Sequence, residues 1–123
     1  MNTAGFSKVE KVFVERSGRK RMTTKLPYVI VDNFPGLGLL TSLRFLEWVA
    51  ENPEGVISLP TGKTPEYFIK WTKYLLDNWD RPEAGKIRED NGLFLKEKPS
   101  LRGLHFVQID EFYPINPRQH NSF

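Results

Sequence analysis

Three short apolar runs separated by stretches of helical periodicity constrain this chain more than any other feature. Tyr28-Val29-Ile30-Val31, Gly55-Val56-Ile57-Ser58-Leu59 and Leu104-His105-Phe106-Val107-Gln108-Ile109 each read as a strand. Between the first two, a helix is expected from about Gly38 to Glu51. There Leu39, Leu43, Leu46 and Ala50 recur at one-face spacing. Pro35, Gly36 and Gly38 punctuate the chain before it, and Asn52-Pro53-Glu54-Gly55 stops it. A second helix is expected from Thr64, as N-cap, with Pro65 in the first helical position, to roughly Trp79. Its Phe68, Trp71, Thr72, Leu75 and Trp79 line one side, and the aromatic stripe reads as core. Residues 80–103 are polar and broken by Pro82, Gly85, Gly92, Pro99 and Gly103. Strand, helix, strand, helix, strand is the order of a parallel sheet with crossover helices. The expected fold class is therefore α/β, with residues 55–59 and 104–109 as neighbouring parallel strands.

The first 27 residues read as a separate polar extension, followed by one α/β unit over 28–123. Val12 and Val14 alternate with charges before Ser17-Gly18, which suggests a short hairpin from about residue 9 to about residue 25. Arg16, Arg19, Lys20, Arg21 and Lys25 form a small basic cluster, read as a solvated face rather than an anion or nucleic-acid patch. No internal repeat and no low-complexity tract is visible.

At 123 residues the chain has room for one small domain or part of a larger one. A net charge of +3 does not by itself call for nucleic acid. With no cysteine there is neither a disulfide framework nor a thiolate metal site. The sequence suggests no metal and no cofactor. No apolar run is long enough to span a membrane, and the first residues lack the apolar core of a secretory signal. The default expectation is a cytoplasmic protein.

Ligands of parallel sheets gather at the carboxyl ends of the strands. Two segments with unusual chemistry leave strand ends here. In Leu59-Pro60-Thr61-Gly62-Lys63-Thr64-Pro65, the glycine allows close backbone approach, and the following helix start offers free N–H groups and a positive dipole end. Thr61 and Thr64 add hydroxyls, and Lys63 adds a cation. These features suit a phosphate. The same residues also make an ordinary strand-to-helix turn with a Thr-Pro cap. The segment is not a GxxxxGK[ST] loop. In Gln108-Ile109-Asp110-Glu111-Phe112-Tyr113, two adjacent acids follow an apolar strand. One can face a site while the other braces the structure, and a carboxylate beside a bound sugar can shuttle a proton. A capping or salt-bridge pair is the plainer alternative. His105 lies on a strand face and reads as packing; His120 sits in a loop.

Taken together, the two segments resemble the glucosamine-6-phosphate deaminase/6-phosphogluconolactonase family. Leu59 to Pro65 looks like the deaminases' L-P-T-G-[GS]-T-P pattern. Val107-Gln108-Ile109-Asp110-Glu111-Phe112, followed by His120-Asn121-Ser122-Phe123, looks like their F-N-M-D-E-Y pattern and the loop after it. The likeness covers residues 28–123, the amino-terminal half of such a domain. It implies a Rossmann-like three-layer fold and conversion of an amino-sugar phosphate, such as glucosamine 6-phosphate, to fructose 6-phosphate and ammonia. Thr61, Gly62, Lys63 and Thr64 would hold the substrate phosphate. Asp110 would move a proton between C1 and C2, with Glu111 as a supporting acid. Lys63 departs from the small residue usual in the loop. The arginine that lactonases carry directly after the Asp-Glu pair is replaced here by Phe112. A lactonase-like hydrolase and a non-catalytic sugar-phosphate-binding protein are the alternatives. The family's later glycine-rich segment with its ring-opening histidine does not occur in these residues. The resemblance therefore implies an incomplete site, inactive alone, completed by the remaining half of the domain or by a homo-oligomer.

Overall fold

The computed structural model describes residues 5–19 and 24–110, with Asn116, Arg118 and His120. Among the described residues there are four helices and a two-stranded parallel sheet, a mixed α/β arrangement. In chain order they are α1 (Lys8–Ser17), α2 (Phe34–Glu51), β1 (Val56–Leu59), α3 (Glu66–Asp77), α4 (Pro82–Asp90) and β2 (His105–Gln108). Val56 pairs with His105 and Leu59 with Gln108, in parallel register. The expected neighbouring parallel strands are therefore present, joined through α3 and α4.

Where a hairpin was expected, the chain forms α1. Ser7 and Glu10 close a capping box: the Ser7 N–H donates to Glu10 Oε2 at 2.7 Å, and the Glu10 N–H donates to Ser7 Oγ at 3.2 Å. Gly18 ends the helix in the left-handed region at φ 60°. The Val12/Val14 alternation is incidental. The buried residues Val9 and Phe13 stand four apart and join the main core. Arg16 donates to Asn91 Oδ1 at 2.7 Å and to the Asp90 carbonyl at 2.8 Å, and Arg19 pairs with Asp32. These two cations of the basic cluster are thus spent on acceptors of the same chain. Lys20 and Arg21 lie outside the described residues.

Helix α2 begins four residues earlier than expected. Asn33 caps it by accepting from the Gly36 N–H at 2.7 Å, and Pro35 sits in the first turn. Its buried face carries Leu40, Leu43, Phe45, Leu46 and Val49, whereas Ala50 is exposed and Leu39 only half-buried. The face is rotated from the expected one because α2 packs chiefly on α3. At the crossing, the buried hydroxyls of Ser42 and Thr72 hydrogen-bond at 2.9 Å, and Phe45 meets Phe68 edge to face at 5.4 Å. Phe68, Leu75 and Trp79 are buried as the aromatic-stripe reading required, and Trp71 is half-buried.

Helix α4 forms inside the stretch read as broken. It buries Ala84, and the Arg88 guanidinium stacks 3.7 Å from the Trp79 ring while donating to the Trp79 carbonyl at 2.7 Å. Burial lowers the Arg88 pKa. Tyr28–Val31 is not a strand. Val29 and Val31 pack against the core, and the run satisfies its apolar character that way.

Candidate functional site

Because β1 and β2 run in the same direction, their carboxyl ends lie at one edge of the sheet. The ladder carries on past the strands, with the Ile109 N–H donating to the Leu59 carbonyl at 3.3 Å. The next residues on each side, Pro60-Thr61 and Asp110, are therefore neighbours. Thr61 Oγ1 donates to Asp110 Oδ2 at 2.8 Å, across 49 residues of sequence. The two segments singled out in the sequence meet at this bond.

Gly62 follows at φ 86°, a conformation that favours glycine. A Cβ added there would meet nothing within 4 Å, so the backbone angle, not crowding, selects glycine. Gly62, Lys63 and Thr64 are exposed and Thr61 is half-buried. The Lys63 carbonyl accepts from the Glu66 N–H at 3.0 Å, which turns the chain into α3. Thr64 is not the expected N-cap. Pro65 takes that position, and no side chain closes the helix start. The first N–H groups of a helix have no partner within it; that of Glu66 is taken by Lys63, but with no side-chain cap the end retains features of an anion site.

Glu66, in the first turn of α3 next to the loop, is a charge that the sequence reading did not single out. Its carboxylate accepts from Lys70 Nζ at 2.9 Å. That hydrogen bond first, then the Lys70 charge, and to the least extent Lys63, lower its pKa from the ordinary carboxylate value. Glu66 is thus ionised at neutral pH, in the first turn beside the loop. The signal was the four-residue spacing of Glu66 and Lys70 directly after the Thr-Pro pair. Glu66→Gln should tighten inorganic phosphate binding by roughly two- to fivefold, the scale of one charge at a helix start. An amide-shift titration with phosphate measures this, and weaker binding by the variant would show that Glu66 orders the loop.

Glu111 lies outside the described residues, as does the Asn121-Ser122-Phe123 part of the second motif. His105 pairs with Val56 at the other end of β2 and is exposed, so the packing role expected of it does not hold. His120 is described and exposed.

Beside the loop runs a largely apolar groove of about 850 Å³. Pro60, Thr64 and Tyr67 form one end of its lining, and Tyr28, Phe34 and Leu37 also border it. Thr61, Lys63 and Asp110 are not part of that lining. Among the described residues no cluster of metal-ligating side chains occurs, and no helix is long and apolar enough to cross a membrane.

No protein family, curated protein or solved structure matches the chain.

Proposed function

We propose that the paired strand ends form a sugar-phosphate site, and that the protein is an isomerase/deaminase acting on an amino-sugar phosphate such as glucosamine 6-phosphate. The observation that carries this reading is the 2.8 Å hydrogen bond between Thr61 and Asp110. It sets a loop with the features of a phosphate site beside an exposed carboxylate able to take up and return a proton. In the reading, Gly62, Lys63 and Thr64 hold the phosphate. Asp110 shuttles the proton between C1 and C2 of the open-chain sugar, with the neighbouring Glu111 in support.

The proposed framework is a Rossmann-like three-layer domain. Supporting it, β2 exposes apolar residues on both faces: Phe106 is 56% exposed and Val107 53%. Strands apolar on both faces belong to parallel sheets covered on both sides. Further elements, from the remaining half of such a domain or from a second copy, would supply that cover and close the site. The expected location is the cytoplasm.

The deciding experiment is ammonia release from glucosamine 6-phosphate by the full-length protein. Release of ammonia with formation of fructose 6-phosphate supports the assignment. Hydrolysis of 6-phosphogluconolactone instead would move it to the lactonase branch. A second reading, a non-catalytic sugar-phosphate-binding protein, draws on the exposure of Gly62, Lys63, Thr64 and Asp110 together. Binding of the sugar phosphate without turnover is its signature.

The phosphate assignment has its own test. Gly62→Val forces a β-branched residue to φ 86°, a strain of order 1–3 kcal/mol. Phosphate affinity should fall about tenfold. Unchanged affinity in a calorimetric titration would remove Gly62 from the site.

A further inference from the structure

The sequence motif assigns the Thr61 hydroxyl to the phosphate, but a threonine hydroxyl has one proton to donate. Here that proton goes to Asp110 Oδ2, at 2.8 Å. We propose that Thr61 is a positioning residue for Asp110 and not a ligand of the phosphate. This rests on reading the loop as the phosphate site and Asp110 as the proton shuttle.

Four arguments favour it. A phosphate dianion offers acceptors only, so binding it through Thr61 would take the proton from the carboxylate. A phosphate oxygen within bonding distance of the same hydroxyl would also stand close to the Asp110 charge, and like charges at such separations repel. The loop has other donors for the anion, namely its backbone N–H groups at the uncapped start of α3 and the exposed Lys63 ammonium. Thr61 itself differs from its neighbours. It is half-buried where Gly62, Lys63 and Thr64 are exposed, and its β-branched side chain is stiff at χ1. A stiff donor set in the loop can hold an otherwise exposed carboxylate in one rotamer. The bond occupies Oδ2 as an acceptor and leaves Oδ1 to take up a proton.

The test needs no turnover. Three-bond couplings report the χ1 distribution of Asp110, and amide shifts report titration with inorganic phosphate. The wild type should show one dominant Asp110 rotamer and Thr61→Val, nearly isosteric but without the hydroxyl, an averaged one; Thr61→Ser, which keeps the hydroxyl but not the β-branch, should lie closer to the wild type than Thr61→Val does. Phosphate affinity of Thr61→Val should stay within about twofold of the wild type. An unchanged Asp110 rotamer in Thr61→Val overturns the positioning role, and a tenfold or greater loss of phosphate affinity makes Thr61 a ligand. If no variant binds phosphate, the phosphate reading of the loop falls by itself. The rotamer distributions then still decide what Thr61 does.

Discussion

Asp110→Asn in the full-length protein should lower turnover of glucosamine 6-phosphate by about 10² to 10⁴, the scale for a lost general acid/base. Asparagine keeps the size of the side chain, and its carbonyl oxygen can still accept from Thr61. The 2.8 Å bond is therefore retained in kind, and what disappears is the capacity to take up a proton. Affinity for the sugar phosphate should change little, because Gly62, Lys63 and Thr64 supply it in this assignment. Removing a charge beside an anion site would, if anything, tighten it. The loss should therefore appear in kcat, with KM nearly constant, as for an interaction made only in the transition state. Near-normal deamination by this variant would place the shuttle on another residue. A rise in KM with kcat unchanged would make Asp110 a binding group.

The part of this site that was legible in the sequence is the part that follows from strand direction. Two apolar runs joined through helices are expected to pair in parallel, and if they are neighbours their carboxyl ends share an edge. Strand direction alone thus puts the Pro60–Pro65 loop and Asp110 at the same edge. It did not find the partner of Thr61, since a rotamer contact across 49 residues leaves no local trace. Helix α1 was missed for a different reason. The Val12/Val14 alternation suggests a strand, whereas Val9 and Phe13 have helical spacing and Ser7 with Glu10 forms a capping box. The Tyr28–Val31 run is apolar because Val29 and Val31 pack against the core, and a short apolar run reads the same in sequence whether it packs as a strand or as an irregular segment. Helix α4 is short and carries Gly85. Contacts with residues outside it, Arg88 with Trp79 and Arg16 with Asp90 and Asn91, hold it in place.

Replacing Gly38 by alanine should destabilise the protein by about 2–3 kcal/mol, against the usual direction of such a change. In a helix interior, glycine to alanine ordinarily gains up to about 1 kcal/mol of propensity. At Gly38 the added Cβ would lie 2.4 Å from Tyr67 Cβ, 2.7 Å from the Tyr67 carbonyl carbon and 2.9 Å from the Phe68 nitrogen. Those atoms belong to the backbone of α3 or its first side-chain carbon, so no flexible tip can move aside. Ordinary carbon contacts stand at about 3.5–4.0 Å, so α2 and α3 must separate by roughly an ångström. That separation opens the buried Ser42–Thr72 hydrogen bond and the Phe45–Phe68 contact. A buried hydroxyl left without a partner costs about 1–3 kcal/mol. Because α3 starts directly after the Pro60–Pro65 loop, its displacement should also loosen the tie between Thr61 and Asp110. Gly85→Ala is the matched control. Its Cβ would meet only the tip of Arg88, at 3.7 Å, so the propensity gain should appear there as about 0.5–1 kcal/mol of added stability. Urea unfolding of the two variants beside the wild type reads both signs. A Gly38→Ala protein as stable as the wild type would mean that the α2–α3 crossing is looser than these distances require.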